Sequence, residues 1–263
     1  MPRTVAIVQA RMSSSRLPGK VLKPLSGVPA LLQLHRRVLH ASSIDLVVVA
    51  TSDEASDDPL EAAGKAAGIP VYRGSLSDVL GRFYGCAREH GATTVVRLTG
   101  DNPAIDPGLV DVVVGAYFYG GFDYYALAGK ELDYPNGLEC EVFSFEVLEL
   151  MHREARLDSE REHVTPYIRW NHSGLRRVGF VDFFKGSGLG VNRWTMDYPE
   201  DFELMEFIYA KLCPNGEMFT MQDVLALKKE HPEAFEVNAV HTRDSGYQKS
   251  LEDEKKKELE ASK

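Results

Sequence analysis

The chain has 263 residues, of which 44% are hydrophobic, and this is enough for one large domain with a buried core. Asp and Glu number 39 against 30 Lys and Arg, and the formal net charge of −9 argues against undirected binding to nucleic acid or to an anionic membrane. No apolar run approaches the roughly 20 residues that span a bilayer, and the start MPRTVAIVQA shows no signal-peptide cleavage pattern, so we expect a cytoplasmic protein. Cys86, Cys140 and Cys213 lack metal-ligand spacing and are expected to be reduced core residues.

The first hundred residues alternate short β-branched runs with helical stretches, which predicts βαβ units around a mainly parallel sheet. The predicted strands are Thr4 to Gln9, Leu46 to Thr51, Val71 with Tyr72, and Thr93 to Leu98. Helices are predicted from Pro29, with Leu31, Leu34, Val38 and Leu39 at helical spacing, from Asp58 to Ala67, and from an N-cap at Ser77. The segment TGDNPAIDP contains too many turn formers to continue the fourth strand.

The middle of the chain differs in character, because Tyr and Gly cluster between Tyr117 and Tyr125 and the turn YPNG precedes the alternating run GLECEVF. We interpret residues 117–184 as an inserted lobe in a single domain of residues 1–248. The later predicted elements are helices over 145–156 and 160–170, strands over 177–184 and 192–196, and a helix that begins at Pro199 and packs on the first sheet. Residues 249–263 are almost wholly charged and form either a solvated helix or a disordered tail.

Ligands of open α/β sheets bind beyond the carboxyl ends of the strands. Polar segments follow four predicted strands. QARMSSSRLPGK follows the first strand, TSDE follows the second, TGDNP follows the fourth, and Asp197 follows the late return strand. We expect all four to face one crevice. The first segment combines Arg11, Arg16 and Lys20 with hydroxyls and glycine, which can surround a triphosphate, although it lacks the GxxxxGK pattern of a Walker loop. A solvated basic loop is the alternative.

The run ARMSSSRLPGKVL closely resembles the N-terminal signature of the cytidylyltransferase superfamily that activates 3-deoxy-manno-octulosonate and acylneuraminates. Further motifs match it in order from about Val5 to Phe202, namely VVVATSD, TGDNP, SEREHVTPYI and WTMDYPEDFE. RLPGKVL, PNGLECEVFSF and SEREHVTPYI are most similar to its spore-coat polysaccharide branch. The resemblance implies an α/β fold of the nucleotide-diphospho-sugar transferase type, with a Rossmann-like, mainly parallel sheet covered by helices on both faces. It also implies a homodimer in which the small inserted lobe supplies the contact.

The resemblance further implies that Asp101 and Asp197 bind Mg²⁺, and that Arg11, Arg16, Lys20 and Asp101 carry the catalysis. Mg²⁺ typically takes one or two carboxylates together with water and substrate phosphates. The residues alone leave other interpretations open. Asp101 could be an ordinary turn residue in GDNP, and Asp197 could cap the helix that follows YPED.

Contacts to CTP are also implied by the resemblance. The first loop contributes Ala10, Ser13 and Ser14, and the turn after the third strand, where the family recognises cytosine, contributes Arg73, Ser75 and Ser77. This chain reads RGSLSDVLGRFY where the octulosonate enzymes carry a Ser, Gly, Thr, Glu, Arg run. A surface position for Arg73 and a helix cap at Ser77 are therefore the alternatives.

Five residues are candidates for contact with the acceptor: Thr99, Asn102, Glu139, Glu141 and His163. Thr99 replaces a Gln that faces the acceptor in sugar-acid activating relatives, so the acceptor here can differ. Alternation in GLECEVF places Glu139 and Glu141 on one strand face, where they contact the acceptor, a subunit partner or solvent. His163 lines the acceptor pocket or is a packed helical residue.

The predicted reaction is transfer of CMP from CTP to a small anionic acceptor with release of pyrophosphate, in surface polysaccharide or related biosynthesis. Two rival functions are considered. A nucleotide-sugar-dependent glycosyltransferase would not require three cations in the first loop, and no DxD run follows a strand. A catalytically silent nucleotide-binding protein would not require Lys20, Asp101 and Asp197 together.

Overall fold

The structure is a computed structural model that describes residues 3–128, 133–170, 176–243 and 245–261, without the side chains of 245 and 258–261. Its strands are β1 (Thr4–Gln9), β2 (Pro24–Leu25), β3 (Val28–Pro29), β4 (Leu46–Ser52), β5 (Val71–Gly74), β6 (Thr94–Thr99), β7 (Tyr124–Leu127), β8 (Cys140–Ser144) and β9 (Val178–Phe180). β2 and β3 form a small hairpin, and the other strands form one sheet in the order β5-β4-β1-β6-β8-β7-β9. The pairs β6 with β8 and β7 with β8 are antiparallel, and the remaining pairs of this sheet are parallel.

Helices surround this sheet. They are α1 (Ala30–Val38), α2 (Asp58–Ala66), α3 (Val79–Glu89), α4 (Pro107–Gly120), α5 (Phe145–Glu154), α6 (Asp158–His163), α7 (Pro166–Arg169), α8 (Pro199–Leu212), α9 (Met221–Glu230) and α10 (Ser245–Ala261). Short 3₁₀ turns cover Lys20–Leu22, Ala55–Asp57, Leu189–Val191 and Pro232–Phe235. Within the described residues, no helix combines the length and apolar character of a membrane span.

The central strand β1 is buried on both faces because a hydrophobic cluster lies on each side of the sheet. Val5 and Ile7 pack in the cluster that contains apolar residues of α3 and α5. Ala6 and Val8 pack in the cluster that contains residues of α1, α4 and α8. The predicted α/β fold, with a mainly parallel sheet between two helical layers, is therefore confirmed. The three cysteines are buried and free as predicted, and burial raises the pKa of Cys86 to about 12.

Several predicted boundaries were wrong for local reasons. Residues 192–196 do not form a strand, and only Arg193 makes an isolated bridge, to Asn136. The cap of α3 is Asp78, whose carboxylate accepts a hydrogen bond from the Gly81 amide at 2.8 Å, and not Ser77. The helix predicted over 160–170 is interrupted at Val164, where φ is +70°, before Pro166 begins α7.

The segment interpreted as an inserted lobe contributes β7, β8 and β9, which continue the main sheet beyond β6. Its apolar side chains enter the two main clusters: Cys140 and Val142 lie in one, and Tyr124 and Phe143 lie in the other. The role of this segment in dimerisation stays a prediction. The charged C-terminal stretch is helical as far as Ala261 and packs against α6, and residues 262–263 lie outside the described residues.

Candidate active site

A crevice of ≈ 380 Å³ opens at the carboxyl ends of β1 and β6, within the size range of small-molecule sites. These strands are neighbours, and Gln9 pairs with Thr99 at their ends. Because β8 runs antiparallel to β6, the start of β8 reaches the same edge, where Glu141 pairs with Arg97. The crevice therefore passes from the basic loop after β1, across the Asp101 loop after β6, to the two glutamates at the start of β8.

The segment TSDE after β4 does not line this crevice, contrary to the prediction. The Thr51 hydroxyl donates a 2.9 Å hydrogen bond to the buried carboxylate of Asp57, and the Ser52 hydroxyl donates to the same carboxylate. Asp57 also accepts a 2.7 Å hydrogen bond from the Met12 amide. Burial raises the pKa of Asp57, but these hydrogen bonds outweigh burial and lower it. Through Asp57, the segment is thus linked to Met12 at the start of the basic loop.

The basic loop turns back at Gly19, which has φ +67°, and this places Lys20 in a 3₁₀ turn beneath the crevice. The Lys20 ammonium nitrogen lies 2.8 Å from Asp101 Oδ2 and 2.9 Å from Asp197 Oδ1. The guanidinium of Arg16 lies 2.8 Å from the same oxygen of Asp197. Arg11 lines the crevice above them. All four predicted catalytic side chains are therefore brought together.

Electrostatics in this cluster are dominated by the ion pairs. Burial lowers the pKa of Lys20, but the charges of Asp101 and Asp197 outweigh burial and leave that pKa above its ordinary value. Burial likewise raises the pKa of Asp197, but Lys20 and Arg16 lower it to about 2. Both shifts favour the charged forms of Lys20 and Asp197.

The segment before α8 holds Asp197 in place although it is not a strand. The Met196 amide donates a 2.7 Å hydrogen bond to the carbonyl of Asp101, so the two acidic residues are tied through the backbone. The Asp197 amide donates to the buried carboxylate of Asp201 at 2.9 Å, and Arg193 bridges the two acids at 3.3 Å and 2.8 Å. This network fixes the direction in which the Asp197 carboxylate faces.

Asp101 and Asp197 converge on a single cation position, that of the Lys20 ammonium nitrogen. In the part of the chain that the structure describes, no group of three or more His, Cys, Asp or Glu side chains could hold a metal ion. Mg²⁺ needs only one or two carboxylates when substrate phosphates and water complete its octahedron. The two carboxylates fit a magnesium ion of this kind.

Glu141 lies in the floor of the crevice and is almost wholly buried. Its carboxylate accepts a 2.8 Å hydrogen bond from Arg97, a second from Arg169, and one of 3.0 Å from the Thr165 hydroxyl. Burial raises its pKa, but the two guanidinium groups lower it to about 2. Glu141 therefore holds two arginines at the crevice and is itself saturated by protein donors.

Glu139 joins the Asp101 loop to a residue far along the chain. One of its oxygens accepts hydrogen bonds from Asn102 Nδ2 at 3.1 Å and from the Gly137 amide at 2.8 Å. The other oxygen accepts a 2.5 Å hydrogen bond from Arg243. Gly137 has φ +108°, and a Cβ there would lie 2.5 Å from the carbonyl oxygen of Trp194, so only glycine fits.

The remaining predicted residues divide into two groups. Those that line the crevice are Ala10, Ser14, Thr99, Asn102 and His163. Those that do not are Ser13, Arg73, Ser75 and Ser77. Arg73 instead pairs with Asp58 at 2.6 Å and Glu61 at 2.7 Å on the outer side of α2.

Arg82 on α3 was missed by sequence reasoning. It lines the crevice and is 4% exposed, and its Nη1 donates a 2.8 Å hydrogen bond to the Ser75 carbonyl. Its Nε has no hydrogen-bond partner among the described residues. The available signal was a lone arginine between Leu80 and Phe83 on the apolar face of this helix.

A family model described as cytidylyltransferase matches residues 5–236. The chain belongs to the cytidylyltransferase family. The spore coat polysaccharide biosynthesis protein SpsF of Bacillus subtilis (strain 168) is 38% identical over 233 residues, 87% of this chain and 95% of that protein. The 3-deoxy-manno-octulosonate cytidylyltransferase 2 of Hydrogenovibrio crunogenus is 25% identical, over 79% of this chain and 85% of that one.

A solved structure of a cytidylyltransferase from Leptospira borgpetersenii serovar Hardjo-bovis superposes on this cytidylyltransferase with a TM-score of 0.80. The identity is 28%, and the match covers 92% of this chain and 99% of that one. The predicted superfamily, its spore-coat branch and the fold are therefore confirmed. The family model ends at residue 236, so Arg243 and α10 lie outside the part of this cytidylyltransferase that it matches.

Proposed function

We propose that this cytidylyltransferase transfers CMP from CTP to a small acidic acceptor and releases pyrophosphate, with Mg²⁺ as its cofactor. The observation that carries the proposal is the convergence of Lys20 on Asp101 and Asp197, with Arg16 on the same carboxylate. A nucleoside triphosphate needs oxygen ligands for its metal ion and cations for its phosphate oxygens. This cluster supports the proposal because it supplies both within one crevice.

The proposed chemistry is an in-line displacement at the α-phosphorus of CTP. The acceptor hydroxyl oxygen forms the new P–O bond and its proton passes to solvent, while the bond from the α-phosphorus to the oxygen that bridges to the β-phosphate breaks and pyrophosphate leaves, so no protein nucleophile is required. Arg11, Arg16 and Lys20 offset the negative charge that accumulates on the departing pyrophosphate. Mg²⁺ held by Asp101 and Asp197 would polarise the α-phosphate and lower the pKa of the attacking hydroxyl.

The proposed acceptor class is a sugar acid or another small anionic compound used for surface polysaccharides. Eight Lys and Arg side chains line the crevice against five Asp and Glu side chains, counting described residues, although the whole chain is acidic. A local positive excess in an acidic protein favours anionic ligands at this place. The names of the two relatives, one in spore coat polysaccharide biosynthesis and one acting on 3-deoxy-manno-octulosonate, support the same class.

The test is pyrophosphate release from CTP in the presence of Mg²⁺ and a panel of sugar acids, phosphonates and phosphorylated small molecules. Wild type is compared with Asp101→Ala and with Glu206→Gln, which removes an exposed carboxylate of α8 that does not line the crevice. We expect acceptor-dependent release that falls by at least roughly a hundredfold in Asp101→Ala and is unchanged in Glu206→Gln. Failure of CTP to bind wild type would contradict the proposal.

A further inference from the structure

The C-terminal segment beyond the family match, described over residues 237–243 and 245–261, reaches back into the crevice. Arg243, Gly246 and Tyr247 line the crevice, and Arg243 contacts Glu139, which directly precedes β8. Helix α10 is fixed there by contacts with α6: Glu254 accepts hydrogen bonds from the Ser159 amide at 2.6 Å and from its hydroxyl at 2.9 Å. These contacts place the segment against the crevice rather than in solvent.

Arg243 is held on three sides. Its Nη2 donates a 2.5 Å hydrogen bond to Glu139, its Nη1 donates a 2.8 Å hydrogen bond to the Tyr134 carbonyl, and its guanidinium lies 4.2 Å from the centre of the Tyr134 ring. Its side chain is 14% exposed. An arginine fixed by a carboxylate and an aromatic ring presents its remaining N–H groups in a fixed direction, as binding of an anion requires.

The position of Arg243 in the crevice follows from the strand that it contacts. Glu139 directly precedes β8 and Glu141 is the second residue of β8, and both line the crevice. Glu141 binds Arg97 and Arg169, and Glu139 binds Arg243. Three guanidinium groups therefore surround two carboxylates, which leaves a net positive charge on this side of the crevice.

Arg16 and Lys20 of the basic loop, which we propose bind the triphosphate, lie on the other side of Asp101, because β6 separates β1 from β8 in the sheet. Glu139 connects the two sides through its hydrogen bond to Asn102, the neighbour of Asp101. An anionic group bound beside Arg243 thus lies across the metal-binding loop from the phosphates of a bound nucleotide. This is where the second substrate of an in-line transfer belongs.

We propose that Arg243 binds the carboxylate or phosphate group of the acceptor, and that the segment after residue 236 thereby determines acceptor specificity. Glu139 acts as a positioning residue that orients the guanidinium. This inference rests on the proposed cytidylyl transfer and adds a substrate-binding residue to it. Arg243→Gln should weaken acceptor binding while CTP binding is retained, because Arg243 contacts the side of β8 and not the basic loop.

The experiment measures KM for CTP and for the sugar acid that releases pyrophosphate in the screen above, in wild type, Arg243→Gln and Arg243→Lys. Glu254→Gln is the control, because it weakens the docking of α10 on Ser159 without changing a residue that lines the crevice. We expect Arg243→Gln to raise the acceptor KM at least about tenfold, with the CTP KM within about twofold. Arg243→Lys should recover part of the loss, and Glu254→Gln should not reproduce it.

A merely structural role is separated by comparing the acid with its uncharged amide. Wild type should prefer the acid, and Arg243→Gln should lose that preference. Equal effects on acid and amide, or an unchanged acceptor KM, would overturn the assignment of Arg243.

If no acceptor in the screen releases pyrophosphate, that result counts against the proposed transfer. The assignment of Arg243 would then be tested by titrating inorganic phosphate into the protein saturated with CTP. Weaker phosphate binding by Arg243→Gln than by wild type, with Glu254→Gln like wild type, supports the assignment. Equal phosphate affinity in wild type and Arg243→Gln contradicts it.

Discussion

The ammonium nitrogen of Lys20 lies 2.8 Å from a carboxylate oxygen of Asp101, a residue 81 positions later in the chain. The contact exists because β1 and β6, which precede these two residues, are adjacent parallel strands that end at the same edge of the sheet. Asp197 shares the same ammonium group at 2.9 Å. One cation therefore holds two carboxylates that would otherwise repel each other.

Replacing Lys20 by Met should make the protein more dependent on Mg²⁺ for stability. Without the ammonium group, Asp101 and Asp197 lose the cation that they share, although Asp197 retains Arg16 and Arg193, so we expect a lower Tm than wild type in EDTA. The proposed Mg²⁺ would bind the carboxylate oxygens that Lys20 contacts, so millimolar Mg²⁺ should raise the Tm of Lys20→Met more than that of wild type. Thermal unfolding with and without Mg²⁺ measures this. Lys23→Met, in the same loop but over the Phe202 ring, is the control and should respond like wild type.

Arg82, and not Arg73, should contribute to nucleotide binding. Arg82 lines the crevice, and its buried Nε has no hydrogen-bond partner among the described residues, whereas Arg73 is engaged by Asp58 and Glu61 and does not line the crevice. We expect Arg82→Gln to raise the KM or Kd for CTP about tenfold and Arg73→Gln to change it by less than about twofold. Calorimetric titration with CTP measures the Kd of each variant, and the Tm of each variant checks that it folds. A larger effect for Arg73→Gln would restore the original sequence assignment.

Glu141→Gln should remove a specific part of the acid sensitivity of the fold. The pKa of Glu141 is about 2 in the folded protein and near 4.5 in the unfolded chain, so its ion pairs stabilise the fold above about pH 4.5. This contribution is lost as the pH falls from 4.5 toward 2. At pH 7 we expect Glu141→Gln to lose about 3 kcal/mol of unfolding free energy relative to wild type. Denaturant unfolding between pH 7 and pH 3 should show this difference shrinking at acid pH. A difference that is constant with pH would contradict the ion-pair explanation.

Gly137→Ala should destabilise the protein and displace Glu139. The new Cβ would lie 2.5 Å from the Trp194 carbonyl oxygen, and the φ of +108° is unfavourable for any L side chain. We expect a loss of about 2 kcal/mol or more in unfolding free energy. Gly115→Ala is the matched control, because it adds the same methyl group to an exposed helical position with nothing within 4 Å. That variant should be unchanged or up to about 1 kcal/mol more stable.

Local patterns predicted the parts of the fold that local physics controls. The β-branched run of β1, the helical spacing of α1 and the Gly that follows α2 each encode a backbone preference within a few residues. The same approach failed for residues 192–196, whose alternation suggests a strand. There the backbone groups pair with Asp101 and Asn136 instead of with a neighbouring strand.

The sequence by itself determined the α/β class, the family and the order of the polar segments, because these depend on residue type and spacing along the chain. The resemblance of its motifs to a known family also singled out Lys20, Asp101 and Asp197, and Lys20 and Asp101 follow β1 and β6, which end at one edge of the sheet. Only the tertiary structure decided that Glu141 is saturated by two arginines, that Arg73 faces away, and that Arg82 and Arg243 face inward. These facts depend on strand order and on contacts between residues as distant as Glu139 and Arg243. No local pattern carries that information, because the free energy of such a contact comes from neighbours that only the complete fold brings together.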